Sequence, residues 1–318
     1  MATEEKEPET TGRLIGADRQ RLLIIGARGF LGTYAVEAAL NAEGFHLIRG
    51  DRSRSTTGVA SAAATERESV EIDIADIASV DKAFAKVRPD SVLLLAAVSD
   101  IDRCEAAPEM AFAINAYGAE HVANACARSH ARLLFTSSAA VFDGSKNGYR
   151  EEDPPAPVSV YGKSKLWAEQ SVLKHLPTAL VIRFALVLGF ARRHGTNAML
   201  NTLVDKWKAG ETVAMSTQEE RNPIDAATLS RVMLHLIANQ DLSGIYHTGA
   251  SDSLSRFELG LRLAARAGIS AELVKPQYEA APGRAPRGRN HFLLTDKLRG
   301  ICNIETGSCD QVIERCFA

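Results

Sequence analysis

The sequence has no Cys-x-x-Cys pair; its five cysteines, Cys104, Cys126, Cys302, Cys309 and Cys316, are odd in number and scattered. Reduced thiols in a cytoplasm fit that usage better than a disulfide framework does. None of the eight histidines stands in a His-Glu-x-x-His or His-x-x-x-His spacing, so no metal site is expected. A basic excess is also lacking. The 37 Lys and Arg against 39 Asp and Glu leave a formal net charge of -2, which argues against a nucleic-acid partner. No apolar run approaches the roughly 20 residues that cross a bilayer, so no membrane partner is expected. Met1–Gly12 has neither the basic nor the apolar part of a secretory signal, and residues 1–20 read as a mobile tail. There is no internal repeat.

What is present is ordinary for a globular chain: 318 residues, 46% hydrophobic and 24% charged, enough to bury a sizeable core. Short apolar runs alternate with helical patterns. Strands are predicted at 21–25, 46–49, 70–74, 91–97, 132–136 and 179–188, the last interrupted by Arg183. Helices are predicted at 31–40, 77–87, 108–128 and 160–176. Strands apolar throughout and separated by helices imply a parallel sheet covered on both faces, an α/β doubly wound fold. Beyond residue 188 the pattern loosens. Helices are expected at 196–209, 225–238, 255–267 and 309–317, a strand at 244–248, and irregular chain at 211–223.

The first strand runs straight into Gly26-Ala-Arg-Gly-Phe-Leu-Gly32 and then a helix. In that context Gly26 permits a tight turn, Gly29 lets the backbone approach a pyrophosphate, and Gly32 lets helix and strand pack closely. Arg28, Phe30 and Leu31 lie in the same loop. Ligands bind at the carboxyl ends of parallel strands, where Asp51, Asp73, Ala96, Ala97, Ser137 and Ser138 also fall. Tyr161 and Lys165 are four apart on a predicted helix and share a face. A phenol beside an ammonium suits proton transfer, because the positive charge is expected to lower the tyrosine pKa.

Taken in order, these residues resemble the extended short-chain dehydrogenase/reductase superfamily, and within it the dTDP-4-dehydrorhamnose reductase group of sugar-nucleotide-binding proteins. The landmarks are Gly26–Gly32, Asp102-Arg-Cys-Glu105, Asn115-Ala116, Val141-Phe-Asp-Gly144, Tyr149–Asp153, Tyr161-Gly-Lys-Ser-Lys-Leu166 and Gly244-Ile-Tyr-His247. The resemblance implies that Tyr161 is the general acid for a carbonyl oxygen and that Lys165 holds the nicotinamide ribose. It implies that Ser138 hydrogen-bonds the same carbonyl, and that Asn115 supports the site or is purely structural. Asp73 and Ile74 would read the adenine. Asp51 favours NAD(H), whereas Arg28 and Arg52 favour the 2′-phosphate of NADP(H); with two residues against one, NADP(H) leads and NAD(H) stays open. Arg221 and Arg287, with Arg284 and Arg289 nearby, match substrate-contact positions, and Asn197 is a further candidate.

One departure stands out: Ser137-Ser-Ala-Ala140 replaces the group's Ser-Thr-Asp-Tyr and looks more like the superfamily's sugar-nucleotide epimerases. The expected function is therefore an NAD(P)H-dependent reductase of a keto group on a nucleotide-activated sugar. An epimerase, or a non-catalytic subunit like the regulatory subunit of methionine adenosyltransferase, is the alternative. Residues 21–188 with about 224–250 would form the NAD(P)-binding Rossmann domain. Residues 189–223 with 251–318 would form a smaller α/β substrate-binding subdomain. Oligomeric state, a homodimer included, is left open.

Overall fold

The apolar runs become a seven-stranded, wholly parallel sheet in a computed structural model that describes residues 19–52, 68–193, 196, 198–279 and 281–318. The expected tail (apart from residues 19 and 20), most of the 53–69 loop and Asn197 lie outside the described residues. The strands are β1 (Gln20–Ile25), β2 (Phe45–Asp51), β3 (Ser69–Glu71), β4 (Ser91–Leu94), β5 (Arg132–Thr136), β6 (Leu180–Arg183) and, after four strands outside this sheet, β11 (Gly244–His247). Their order is β11-β6-β5-β4-β1-β2-β3. The direction of winding reverses between β1 and β4, which opens a crevice at the carboxyl ends of those strands.

The helices cover both faces. Along β1 successive side chains point to opposite sides, so Leu23 and Ile25 enter one core cluster and Leu22 and Ile24 the other. The first cluster packs under α2 (Ile77–Val87), α5 (Gly118–Ser129) and α6 (Val160–His175). The second packs under α1 (Phe30–Asn41) and α8 (Ala226–Ala238). Each fully buried aliphatic side chain contributes roughly 1.5–3 kcal/mol. Local signals set the helix ends: Asp76 caps α2 and Ser159 caps α6 through the amides of Ala78 and Gly162, and Lys174 and His175 complement the α6 dipole.

The predicted helix 108–128 is three pieces: α4 (Pro108–Ala111), a π-helical turn, Phe112–Tyr117, and α5; a short helix that was not predicted, α3 (Ile101–Ala106), precedes them. The predicted strand 179–188 is two strands, because the chain leaves the sheet after Arg183. Its second part, β7 (Leu186–Leu188), pairs with β10 (Pro223–Asp225) instead. The stretch expected to be irregular holds β8 (Val213–Ser216) and β9 (Glu220–Arg221), paired to distant segments whose contribution is not visible locally. These partners are β13 (Val274–Gln277), β12 (Leu254–Ser255) and β14 (Asn290–His291). The remaining helices are α7 (Met199–Lys208), α9 (Arg256–Arg266), α10 (Asp296–Arg299) and α11 (Cys309–Phe317). A capping box formed by Ser255 and Glu258 opens α9.

Candidate active site at the strand carboxyl ends

Gly26 sits at φ +89°, a left-handed conformation open to glycine, and a Cβ there would meet the Ala96 amide nitrogen at 2.8 Å. A Cβ on Gly32 would lie 2.1 Å from the Gly26 carbonyl oxygen. The loop thus folds tightly onto itself and against the end of β4. Gly29 is the N-cap of α1 and no side chain caps that end, so the positive pole of the helix is directed at the crevice. The observed cradle fits a nicotinamide dinucleotide: its pyrophosphate would rest on the amides from Phe30 to Gly32, the Gly29 amide being donated to the Gly26 carbonyl at 3.0 Å.

At the end of β2 the Asp51 carboxylate accepts the Arg28 backbone N–H at 2.9 Å. Burial raises the Asp51 pKa, while the Arg28 amide and the charges of Arg28, Arg193 and Arg49 pull it down. Asp51 therefore holds the glycine loop, amid arginines. Arg52 is exposed beside it. Asp73 turns its own loop by accepting the Ala75 amide at 3.0 Å, and Ile74 is buried with its carbonyl bound to His121 Nδ1 at 2.9 Å. Ala96 is half-buried and Ala97 exposed at the mouth of the crevice.

Across the crevice the side chains of Tyr161 and Ser138 adjoin, and both are buried. Ser138 Oγ also accepts the Ala140 amide at 3.1 Å, which fixes its rotamer. Lys165 is buried, with Nζ 4.4 Å from the Phe135 ring centroid. The expected depression of the phenol is not what the protein's own groups produce. Burial pushes Tyr161 up to about 12 and the neighbouring Ser138 hydroxyl pulls it back only partly. Burial likewise pushes Lys165 down to about 8, against the attraction of Glu169. Both shifts disfavour the charged forms, as desolvation requires.

Asn115 is 1% exposed and saturated: Oδ1 accepts the Val98 amide at 2.8 Å, and Nδ2 donates to Val98 O at 3.0 Å and Ser164 Oγ at 3.2 Å. It clamps the loop after β4 to α6, and the π-helical turn carries it. Its role is to hold the site's walls.

The substrate-side candidates come together at a small cavity of about 50 Å³ whose lining includes Ser138, Ala140, Ala185, Arg221, Arg287 and His291. Arg287 forms a two-point ion pair with Asp102 at 2.7 and 3.1 Å, and Asp102 also accepts the Ala285 amide at 2.8 Å. Arg284 pairs with Glu219. Arg221 is buried and donates to the carbonyls of Glu220, Gly288 and Arg289. The basic loop is thus strapped across the site mouth. Gly144 explains the Val-Phe-Asp-Gly run: at φ +80° it lets the Arg289 amide approach to 2.5 Å of where a Cβ would stand. A larger shallow hollow of about 530 Å³ lies near Asp81, Arg88 and Arg128 and contains none of these residues.

Glu169 and His291, which the sequence reading did not single out, are buried at or beneath the site; His247, also buried there, and Asp102, which holds the strap, stood in its landmarks without a role. Arg183 breaking an apolar strand was the signal for Glu169, which lies one turn beyond Lys165 and binds Arg183.

The parallel sheet, the glycine cradle and the buried Ser138–Tyr161–Lys165 cluster at its edge define an extended short-chain dehydrogenase/reductase. Within that class the chain belongs to the RmlD substrate binding domain family, whose model matches residues 20–318. It is 31% identical over 275 residues to a dTDP-4-dehydrorhamnose reductase of Mycobacterium tuberculosis, covering 84% of this chain and 83% of that protein. It is 28% identical over 285 residues to methionine adenosyltransferase 2 subunit beta of Xenopus laevis, covering 88% and 81%. Among solved structures it resembles dTDP-4-dehydrorhamnose reductase from Bacillus anthracis in complex with NADP. The TM-score is 0.82 at 27% identity, covering 94% of this chain and 99% of that one.

Proposed function

We propose that the protein is an NADP(H)-dependent reductase of a keto group on a nucleotide-activated sugar, with Ser138, Tyr161 and Lys165 as its catalytic residues. The observation that carries this reading is the adjoining Ser138 and Tyr161 side chains, buried beside Lys165 and across the crevice from the glycine cradle. A phenol pushed up to about 12 stays protonated at neutral pH, as a general acid must. Tyr161 gives its proton to the carbonyl oxygen, and Ser138 Oγ donates a hydrogen bond that stabilises the developing negative charge. Lys165, charged below about 8, supports the phenol electrostatically and is placed to hold a ribose. A nicotinamide, when bound, supplies the hydride that the carbonyl carbon accepts.

Gly26, Arg28, Gly29, Phe30, Leu31 and Gly32 would hold the dinucleotide, with Asp73, Ile74, Ala96 and Ala97 around the adenine and Asp51 bracing the loop. The arginines near Asp51, and the NADP bound by the Bacillus anthracis protein, support NADP(H) over NAD(H). Arg221 and Arg287 would meet the substrate diphosphate once the strap opens. The separate apolar cluster of Leu188, Trp207, Leu259 and Val312 supports assigning residues 189–223 and 251–318 to substrate binding. Among the described residues no helix is long and apolar enough to cross a membrane.

The purified protein mixed with NADPH and a dTDP-4-keto-6-deoxy sugar should lose the near-ultraviolet absorbance of reduced nicotinamide. Unchanged absorbance with tight NADPH binding would favour the second reading, a binding subunit. The relatives named as methionine adenosyltransferase subunit beta support that alternative.

A further inference from the structure

A polar cluster beneath the site is used by none of these steps. Glu169 follows Lys165 by one helical turn and Tyr161 by two, so the three share a buried stripe of α6. Its carboxylate accepts Arg183 Nε at 2.8 Å and the terminal Nη2 at 2.6 Å, and the Ser137 hydroxyl donates to Oε1 as well. Arg183 belongs to β6 and Ser137 extends β5, so one carboxylate ties together the three elements that carry the site. The same ties enclose Ser138. The Ser137 amide donates to Ile182 O at 2.8 Å and the Ala139 amide to Phe184 O at 3.0 Å, pinning the serine alongside Arg183. On its far side Arg183 lies 3.4 Å from His247 Nε2 and 5.0 Å from the Phe142 ring centroid.

Both partners of this ion pair are 2% exposed. Burying two charges is a poor route to stability, because desolvation offsets most of their attraction and an apolar set of the same shape does as well. What the pair supplies, and an apolar set does not, is direction and a fixed charge. Around Lys165 stand Glu169 and Tyr161 of its own helix, Cys104 of α3 and the Phe135 ring of β5. Glu169 brings the negative charge.

We propose that Glu169, acting through Ser137 and Arg183, is a positioning residue. Its carboxylate sets the separation between Ser138 on the strand side and the Tyr161–Lys165 pair on the helix side, and places a negative charge one turn from Lys165. It can do so only if those three residues perform the reduction proposed above, and the two ideas fail differently.

Ser137→Ala removes one donor and leaves the ion pair whole. It is expected to lower kcat about tenfold, with the NADPH dissociation constant, read by fluorescence, within about twofold of the parent. A crystal structure of that variant should show the Ser138 hydroxyl displaced relative to the Tyr161 phenol. Glu169→Gln keeps the shape and removes the charge, so the alkaline limb of kcat should move to lower pH by about one unit. Should Glu169→Gln not fold, Ser137→Ala alone decides. Parental kcat with Ser138 undisplaced from Tyr161 in Ser137→Ala, or an unmoved alkaline limb in Glu169→Gln, overturns the proposal and leaves the pair a structural one. Parental turnover in Tyr161→Phe instead overturns the site assignment, and the positioning role falls with it.

Discussion

Tyr161 and Lys165 share a helix face, yet burial moves their proton affinities in opposite directions, to about 12 and about 8. Tyr161→Phe removes the donated proton and keeps the ring, so turnover should fall by about 10² or more while NADPH affinity holds. In the parent enzyme kcat should decline above about pH 8, because a lysine whose pKa is lowered loses its charge there. Parental turnover in the variant, or a flat alkaline profile, contradicts these roles. Cofactor choice is also decided residue by residue. Replacing Arg28 and Arg52 together with Ala should weaken NADPH and leave NADH nearly untouched; an unchanged ratio of dissociation constants would assign the choice to Asp51. The sequence displayed the tyrosine and lysine through their spacing. It did not display Glu169, because a carboxylate in a helix reads as solvated until its partner, Arg183, is brought beside it by the sheet.

At the scale of elements, the strap from 281 to 289 is the part that must give way. A cavity of about 50 Å³ does not admit a sugar nucleotide, and Arg287 is engaged by Asp102 on both its terminal nitrogens. A substrate phosphate must therefore compete with that carboxylate. Asp102→Asn keeps an oxygen for the Ala285 amide and weakens only the hold on Arg287. The Michaelis constant for an anionic sugar nucleotide should fall about tenfold, the equivalent of one charged hydrogen bond, with kcat kept. A raised or unchanged constant would mean that the pair closes nothing. The β-α alternation that builds the crevice was legible because each element carries its own period and caps, α2 and α11 most plainly. The two-residue strands β9, β12 and β14 were not, since each exists only through a partner far along the chain. The π-helical turn was hidden likewise: the bonds its Asn115 makes are to the Val98 backbone, in another element.

For the whole molecule, two buried histidines set an acid limit. Burial pushes His247 and His291 down to about 3 from 6.5. Their folded forms stay neutral while the unfolded chain takes up protons, so the stability they contribute is present above pH 6.5 and is lost as pH falls toward about 3. Tm should drop over that window, and His291→Gln should flatten the drop; equal slopes in both proteins would contradict the assignment. The doubly wound class was readable across the whole chain because glycine loop, sheet and helices agree with one another. The chemistry is less tightly fixed, since the same scaffold could reduce a ketone, epimerise a sugar or only bind a nucleotide.

The most direct test follows the hydride itself, using NADPH that carries deuterium at its transferable position and a dTDP-4-keto-6-deoxy sugar. The account predicts one deuterium at the new carbinol carbon of the product, found by mass spectrometry and NMR, with one NADP formed per sugar reduced. Sugar recovered unlabelled and unchanged, or epimerised with the deuterium still on the cofactor, would contradict it.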